Sequence, residues 1–278
     1  MKEVLARFWK PHRTKVGSII LVSVLLFGFL GPHVYDVDPF SMAGFLYESP
    51  SRDLPLGTDN FGRDMLASLI HGTRTSVIVG LVAGLIATGI GTGIGSIAGY
   101  KGGKVDELLN SITNLFIVVP PFVILILISV SLEQRSALLL AMIIGITSWP
   151  WTARAVRSQV TSLRVREHVN IARLSGFNTL EILFREILPY IFSYIFMAFI
   201  LQVATAIINE ATLSMLGLGP FETISLGGLM HWALTYEAVR TDAWWAFLPA
   251  VIAIALLTFS LYIINSGMDE IFNPKLRE

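Results

Sequence analysis

The sequence predicts an all-α membrane protein with six transmembrane helices, and three observations support this. Hydrophobic residues make up 54% of the chain and charged residues only 14%, where a soluble domain carries about 25% charged. Mean hydropathy is +0.67. The apolar residues fall in continuous runs, not in the alternation of a membrane β-barrel, so the spanning elements are helices.

A helix crossing the hydrocarbon layer needs roughly 20 mainly apolar residues. Such runs lie at 16–30, 76–100, 112–132, 137–153, 190–208 and 244–264. The first follows basic residues, as a secretory signal would. The sequence after it, GFLGPHVYD, has no small-residue cleavage site, so an uncleaved anchor is expected, with an outer loop filling the rest of 16–75. Within 1–15, Phe8 and Trp9 sit among charges. An interfacial helix and a disordered basic tail both fit that segment.

The second run carries Gly80 and Gly84, then Gly91, Gly95 and Gly99. Residues four apart share a helix face, and a face without side chains lets another helix approach closely. Its string GTGIGSIAG lacks the lysine of a phosphate loop. Pro120 and Pro121 fall inside the third run, Pro150 near the end of the fourth and Pro249 near the start of the sixth. Each is expected to bend its helix. Bends suit a pathway opening on alternate sides, and static membrane proteins have them too.

Six crossings put both termini on one side. That side carries Lys2, Arg7, Lys10, Arg13, Lys15, Lys101, Lys104, Lys275, Arg277 and six arginines (Arg154, Arg157, Arg164, Arg166, Arg173, Arg185). The other side carries Arg52, Arg63, Arg74, Arg135 and Arg240. The positive-inside rule makes the richer side cytoplasmic.

Ionisable groups are almost absent from the runs, which argues against a proton- or sodium-driven carrier. Asn209 and Glu210 stand near the outer end of the fifth. Either they touch a substrate, with Ser214 and Met215 as further path candidates, or Glu210 hydrogen-bonds the following loop. The formal net charge of zero gives no case for nucleic-acid binding, and the absence of cysteine excludes disulfides and thiolate metal sites. HExxH, GxSxG and GxxxxGK[ST] are missing, and His71 and His231 are isolated. No cofactor is expected in this chain, and any nucleotide must be bound by another.

The segment 154–189 is charged, lies between apolar runs and has a helical pattern. Gly176 can end a helix in the left-handed conformation. Asn178 can cap the next, with Glu181 in the capping-box position. Leu180, Leu183, Phe184, Ile187 and Leu188 then form an apolar stripe leading to Pro189 and the fifth run. Ala172 and Gly176, one turn apart, are expected to form a flat patch where a partner's backbone comes close. A basic loop resting on anionic headgroups is the alternative.

Ala-x-x-x-Gly at Ala172 and Gly176, followed by Pro189 in ILP, resembles the coupling loop of ABC-importer permeases, the EAA motif. LPLGTDNFGRDMLASLIHGTRTS (54–76), EATLSMLGLG (210–219), WWAFLPA (244–250) and NPKLRE (273–278) look like the second permease subunit of dipeptide/oligopeptide importers. Two departures stand out. Asn170 and Ile171 replace the first two motif positions, and Leu226 and Gly227 stand where these permeases often have Trp-Gly.

The resemblance implies a type I ABC importer permease fold with cytoplasmic termini, its transmembrane domain spanning 76–278. It implies a homologous second permease, two ABC ATPase subunits that bind ATP and Mg, and an extracellular or periplasmic binding protein. By the same likeness Ala172, Arg173, Leu174, Ser175, Gly176 and Phe177 dock an ATPase. Peptides are the implied cargo, with oligosaccharides and nickel as alternatives within the family and an ion-driven carrier as a reading outside it.

Overall fold

Proline boundaries and side-chain caps set the helix ends in the computed structural model, which describes residues 11–272. Phe8, Trp9 and the NPKLRE tail lie outside the described residues. Pro11 precedes α1 (His12–Val34), which is longer than the first apolar run. The second helix, α2 (Met65–Lys101), starts well ahead of residue 76 because Asp64 caps it, accepting from the Ala67 amide at 2.9 Å. At 37 residues it is about 55 Å long. It stops at Gly102 (φ +67), where the chain turns directly into α3 (Gly103–Val118).

The third apolar run is two helices. α3 and α4 (Pro121–Val130) meet at 74°. Each of the two linking residues, Val119 (φ −82, ψ 125) and Pro120 (φ −53, ψ 120), precedes a proline. The following ring clashes with a helical conformation at such positions, so both are driven out of it.

Ser136 caps α5 (Ala137–Leu163), which runs through Pro150 and ten residues past its expected end. Arg154 and Arg157 are therefore helical instead of in a loop. Arg157 makes a two-pronged ion pair with Asp106 of α3, at 2.5 and 2.6 Å. Next come α6 (Glu167–Leu174), α7 (Thr179–Leu218), α8 (Leu226–Thr235) and α9 (Leu248–Phe272). The sequence reading did not anticipate α8. Among the described residues five helices are long and apolar enough to cross a membrane, and six spans, the expected number, result when the bent α3–α4 pair is counted as one.

Glycines decide the packing around α2. A Cβ on Gly80 or Gly84 would collide with Ile207 or Val203 of α7. A Cβ on Gly91, Gly95 or Gly99 would collide with α5 between Trp149 and Val160. One helix thus holds two others at backbone distance. α1 lies against α9, with Gly17 beside Ser260 and Thr14 beside Gly267, so the two ends of the described chain meet at one end of the bundle.

Residues 35–64 fold into a knot over the opposite end. Trp245 donates to the Thr58 carbonyl at 3.1 Å, and Tyr35 donates to Asp64 at 2.5 Å. Burial and this bond push the Tyr35 pKa up to about 12. Asp59 Oδ1 accepts from the Phe61 and Arg63 amides at 2.7 and 2.9 Å. Burial raises its pKa despite those bonds. The folded knot therefore prefers the protonated acid, and this contribution to stability is lost as pH rises through the raised value. Asp59→Asn, which keeps an acceptor, should melt no lower than the parent at neutral pH, its advantage shrinking as pH falls toward about 4. Asp59→Ala should lose about 1–3 kcal/mol near pH 4, a deficit that narrows as pH rises. Thermal melts in detergent across pH check both.

Candidate functional site

The elbow formed by α6, the turn after it and the start of α7 is built by local chemistry. Val169 and Ala172 share one face of α6 and pack with Ile182, Leu183 and Ile187 against Val156 and Val160 of α5. The helix ends in a Schellman motif: the Phe177 amide donates to the Ala172 carbonyl and the Gly176 amide to Arg173, both at 3.1 Å. Gly176 takes φ +85. The capping box forms as expected, with Asn178 N donating to Glu181 Oε2 at 2.8 Å and Glu181 N to Asn178 Oδ1 at 3.0 Å.

The elbow continues into the membrane helix without a hinge. Pro189 has no amide to donate and its ring crowds the preceding turn. The turns over Ile182–Ile187 widen to π-helical geometry, and the Leu188 amide reaches back to Leu183. α7 forms one 40-residue span, kinked near its far end at Gly217 (φ +79).

One expectation about the elbow needs correcting. The flat patch of Ala172 and Gly176 does not form, because Ala172 is only 6% exposed and faces the chain's own core. Its spacing of three from Val169 puts both on the inward face. The outward face presents Ile171, Leu174 (88% exposed), Ser175 and Gly176. Arg173 reaches sideways over the Tyr100 ring, 5.7 Å away, and Phe177 is half-buried under Arg185.

At the other end of α7, Glu210 is fully buried. Ser76 and Ser214 donate to its two carboxylate oxygens at 2.8 and 2.6 Å, and the Leu226 amide donates to Ser76 Oγ at 3.2 Å. Glu210 and Ser214, expected among the path candidates, are thus enclosed inside the chain, tying α2, α7 and α8 together. The structure favours the second of the two readings offered for Glu210. Glu210→Leu strands both hydroxyls in the core and should cost about 2–5 kcal/mol, read as a lower melting temperature. Leu226 fills the core here, and Gly227 lies against the Ala211 backbone, so both residues serve the packing. Met215 is half-buried, and its carbonyl accepts from His231 Nδ1 at 3.0 Å.

Asn209 differs from these. It lines a half-open cavity of about 600 Å3 bounded by α3, α4, α5, α7 and α9. Thr205 and Gln202 line the same cavity one and two turns earlier on α7. Neither stands out in the sequence, because uncharged polar side chains are inconspicuous within an apolar span. An i, i+3, i+7 stripe of uncharged polar residues was the available signal.

Residues 91–278 match the family described as binding-protein-dependent transport system inner membrane component. The chain belongs to that family. Curated relatives of this inner membrane component extend over its full length. The oligopeptide transport system permease protein OppC of Bacillus subtilis is 33% identical over 284 residues, covering 100% of this chain and 90% of that protein. OppC of Escherichia coli is 33% identical over 98% of this chain and 90% of its own length. The dipeptide transport system permease protein DppC of Haemophilus influenzae is 28% identical over 100% and 97%. A solved structure of the MetNI methionine ABC transporter, inward facing, superposes with a TM-score of 0.57 at 18% identity. It covers 76% of this chain and 97% of that one, which establishes the shared fold. This inner membrane component is therefore a membrane-embedded permease of an ABC importer.

Proposed function

We propose that this permease is one half of the transmembrane pathway of an ATP-driven, binding-protein-dependent importer of short peptides. Its full-length likeness to oligopeptide and dipeptide permeases carries the reading. The arginine-rich elbow lies in the cytoplasm, as the charge bias supports. There Ile171, Leu174, Ser175 and Gly176 dock one of two ATPase subunits, and those subunits hold ATP and Mg. A homologous second permease faces this chain across the pathway, and a binding protein delivers cargo at the end bearing the 35–64 knot.

The ATPases must hold the elbow differently in their open and closed states, since equal affinity transmits nothing. Because the elbow and the membrane part of α7 are one rod, ATPase closure reaches the Asn209 face directly. The test is uptake of labelled di- to pentapeptides by proteoliposomes holding the full complex. ATP-dependent peptide uptake supports the reading. Ion-driven flux by this chain without ATPases, or import of oligosaccharide in place of peptide, overturns it.

A further inference from the structure

We infer that the cavity beside the broken α3–α4 pair is a peptide-backbone site, with Gln202, Thr205 and Asn209 as its reading edge. The inference rests on the peptide-importer reading and assigns residues within it. Gln202 is only 5% exposed, and its Nε2 is already committed, donating to the Ser148 carbonyl at 2.9 Å and to Thr152 Oγ1 at 2.8 Å. The amide is thereby locked, with Oε1 free to accept from the cavity. Thr205 spends its proton on the Leu201 carbonyl at 2.9 Å, so its hydroxyl oxygen also faces the cavity as an acceptor. The Asn209 side chain, carrying a donor and an acceptor, makes no hydrogen bond among the described residues.

Two fixed acceptors and one free amide on a single helix face suit the N–H groups of a peptide chain. From residue 202 to 209 the helix rises about 10 Å, close to three residues of extended peptide at about 3.3 Å each. The opposite wall offers Phe116 and Trp151, apolar surface against which side chains of many kinds can lie. No carboxylate or histidine lines the cavity, so a divalent cation would meet no anionic or imidazole ligand there. Arg154, at its margin, is held by Asn114 Oδ1 at 2.9 Å. Such a site grips the backbone and ignores sequence, leaving cargo choice to the binding protein.

The chain contains no cysteine, so an introduced thiol is unique within it. Thr205→Cys and Asn209→Cys are made, with Ile208→Cys, which does not line the cavity, as control. Each is assembled with the partner permease, ATPases and binding protein in nanodiscs and treated with a small thiol reagent during ATP turnover. A saturating transported tripeptide should slow modification at 205 and 209 about tenfold, the effect of one good hydrogen-bonded contact, and leave 208 unchanged. A backbone-N-methylated analogue that the binding protein still accepts should protect far less.

Equal rates with and without peptide at 205 and 209, in a complex that imports the peptide, overturn the inference and leave the importer reading standing. Equal protection by the N-methylated analogue does the same. A complex that imports oligosaccharide and no peptide overturns both.

Discussion

Gly176→Asp is expected to leave the permease folded and inserted while abolishing ATP-driven transport by its complex. Nothing lies within 4 Å of a Cβ built at this position, so the substitution meets no neighbour in this chain. The left-handed conformation (φ +85) costs a side chain about 1–2 kcal/mol, with aspartate among the most tolerant residues. That penalty alone does not unfold the elbow, which the Schellman bonds and the α5 packing hold from both sides. At the proposed ATPase interface, however, the new carboxylate is buried without a partner. Transport should fall at least about 100-fold, equivalent to about 2.7 kcal/mol of lost coupling. Gly176→Ala carries the same backbone strain without the charge and should keep most activity. Paired melting curves and uptake assays decide the matter. Full transport by Gly176→Asp would remove this face from the docking surface.

Gly95→Val is expected to do the reverse and prevent the helices from assembling at all. Its Cβ would overlap the Ala153 carbonyl and lie 3.0 Å from the Arg157 amide. Both are backbone atoms of α5 and cannot rotate aside. Overpacking of a core usually costs 1–3 kcal/mol, and here relief requires two whole helices to part, so about 3 kcal/mol or more is expected. Gly89 and Gly93 provide the internal comparison, since a Cβ at either meets nothing within 4 Å. Gly89→Val and Gly93→Val should yield monodisperse protein with near-parental melting temperature. If Gly95→Val behaves as they do, the close approach of α2 and α5 does not hold the fold together.

Features that depend on near neighbours in the chain were readable before any coordinates. Asn178 and Glu181 cap the elbow because three residues of spacing bring each side chain to the other's amide, whatever lies around them. The four-residue glycine spacing announced close helix approach, though not that the N-terminal stretch of α2 (Gly80, Gly84) meets α7 and the C-terminal stretch (Gly91, Gly95, Gly99) meets α5. The double proline at 120–121 foretold a bend, but its 74° angle comes from two consecutive residues being extended, which a single-kink picture understates. Ala172 was misjudged because its facing depends on Val156 and Val160 of α5, a surface that exists only after folding. α8 escaped notice because a short apolar segment beside loops has no periodicity to separate it from them. Gln202 and Thr205 were not legible for a physical reason: uncharged amides and hydroxyls are inconspicuous in a span until they share a face.

The continuous course of α7 up to its kink at Gly217 (φ +79) has a mechanical consequence. From Thr179 to Leu216 it makes a stick about 57 Å long. If it swivels near Pro189, the short arm back to Thr179 is about 15 Å and the long arm to Leu216 about 41 Å. A tug of about 2 Å on the short arm then sweeps the far tip through about 6 Å, a gain of roughly three set by arm length alone. A gate at that tip would open wide on a small stroke, and shortening the short arm by whole turns would retune the gain without touching the gate.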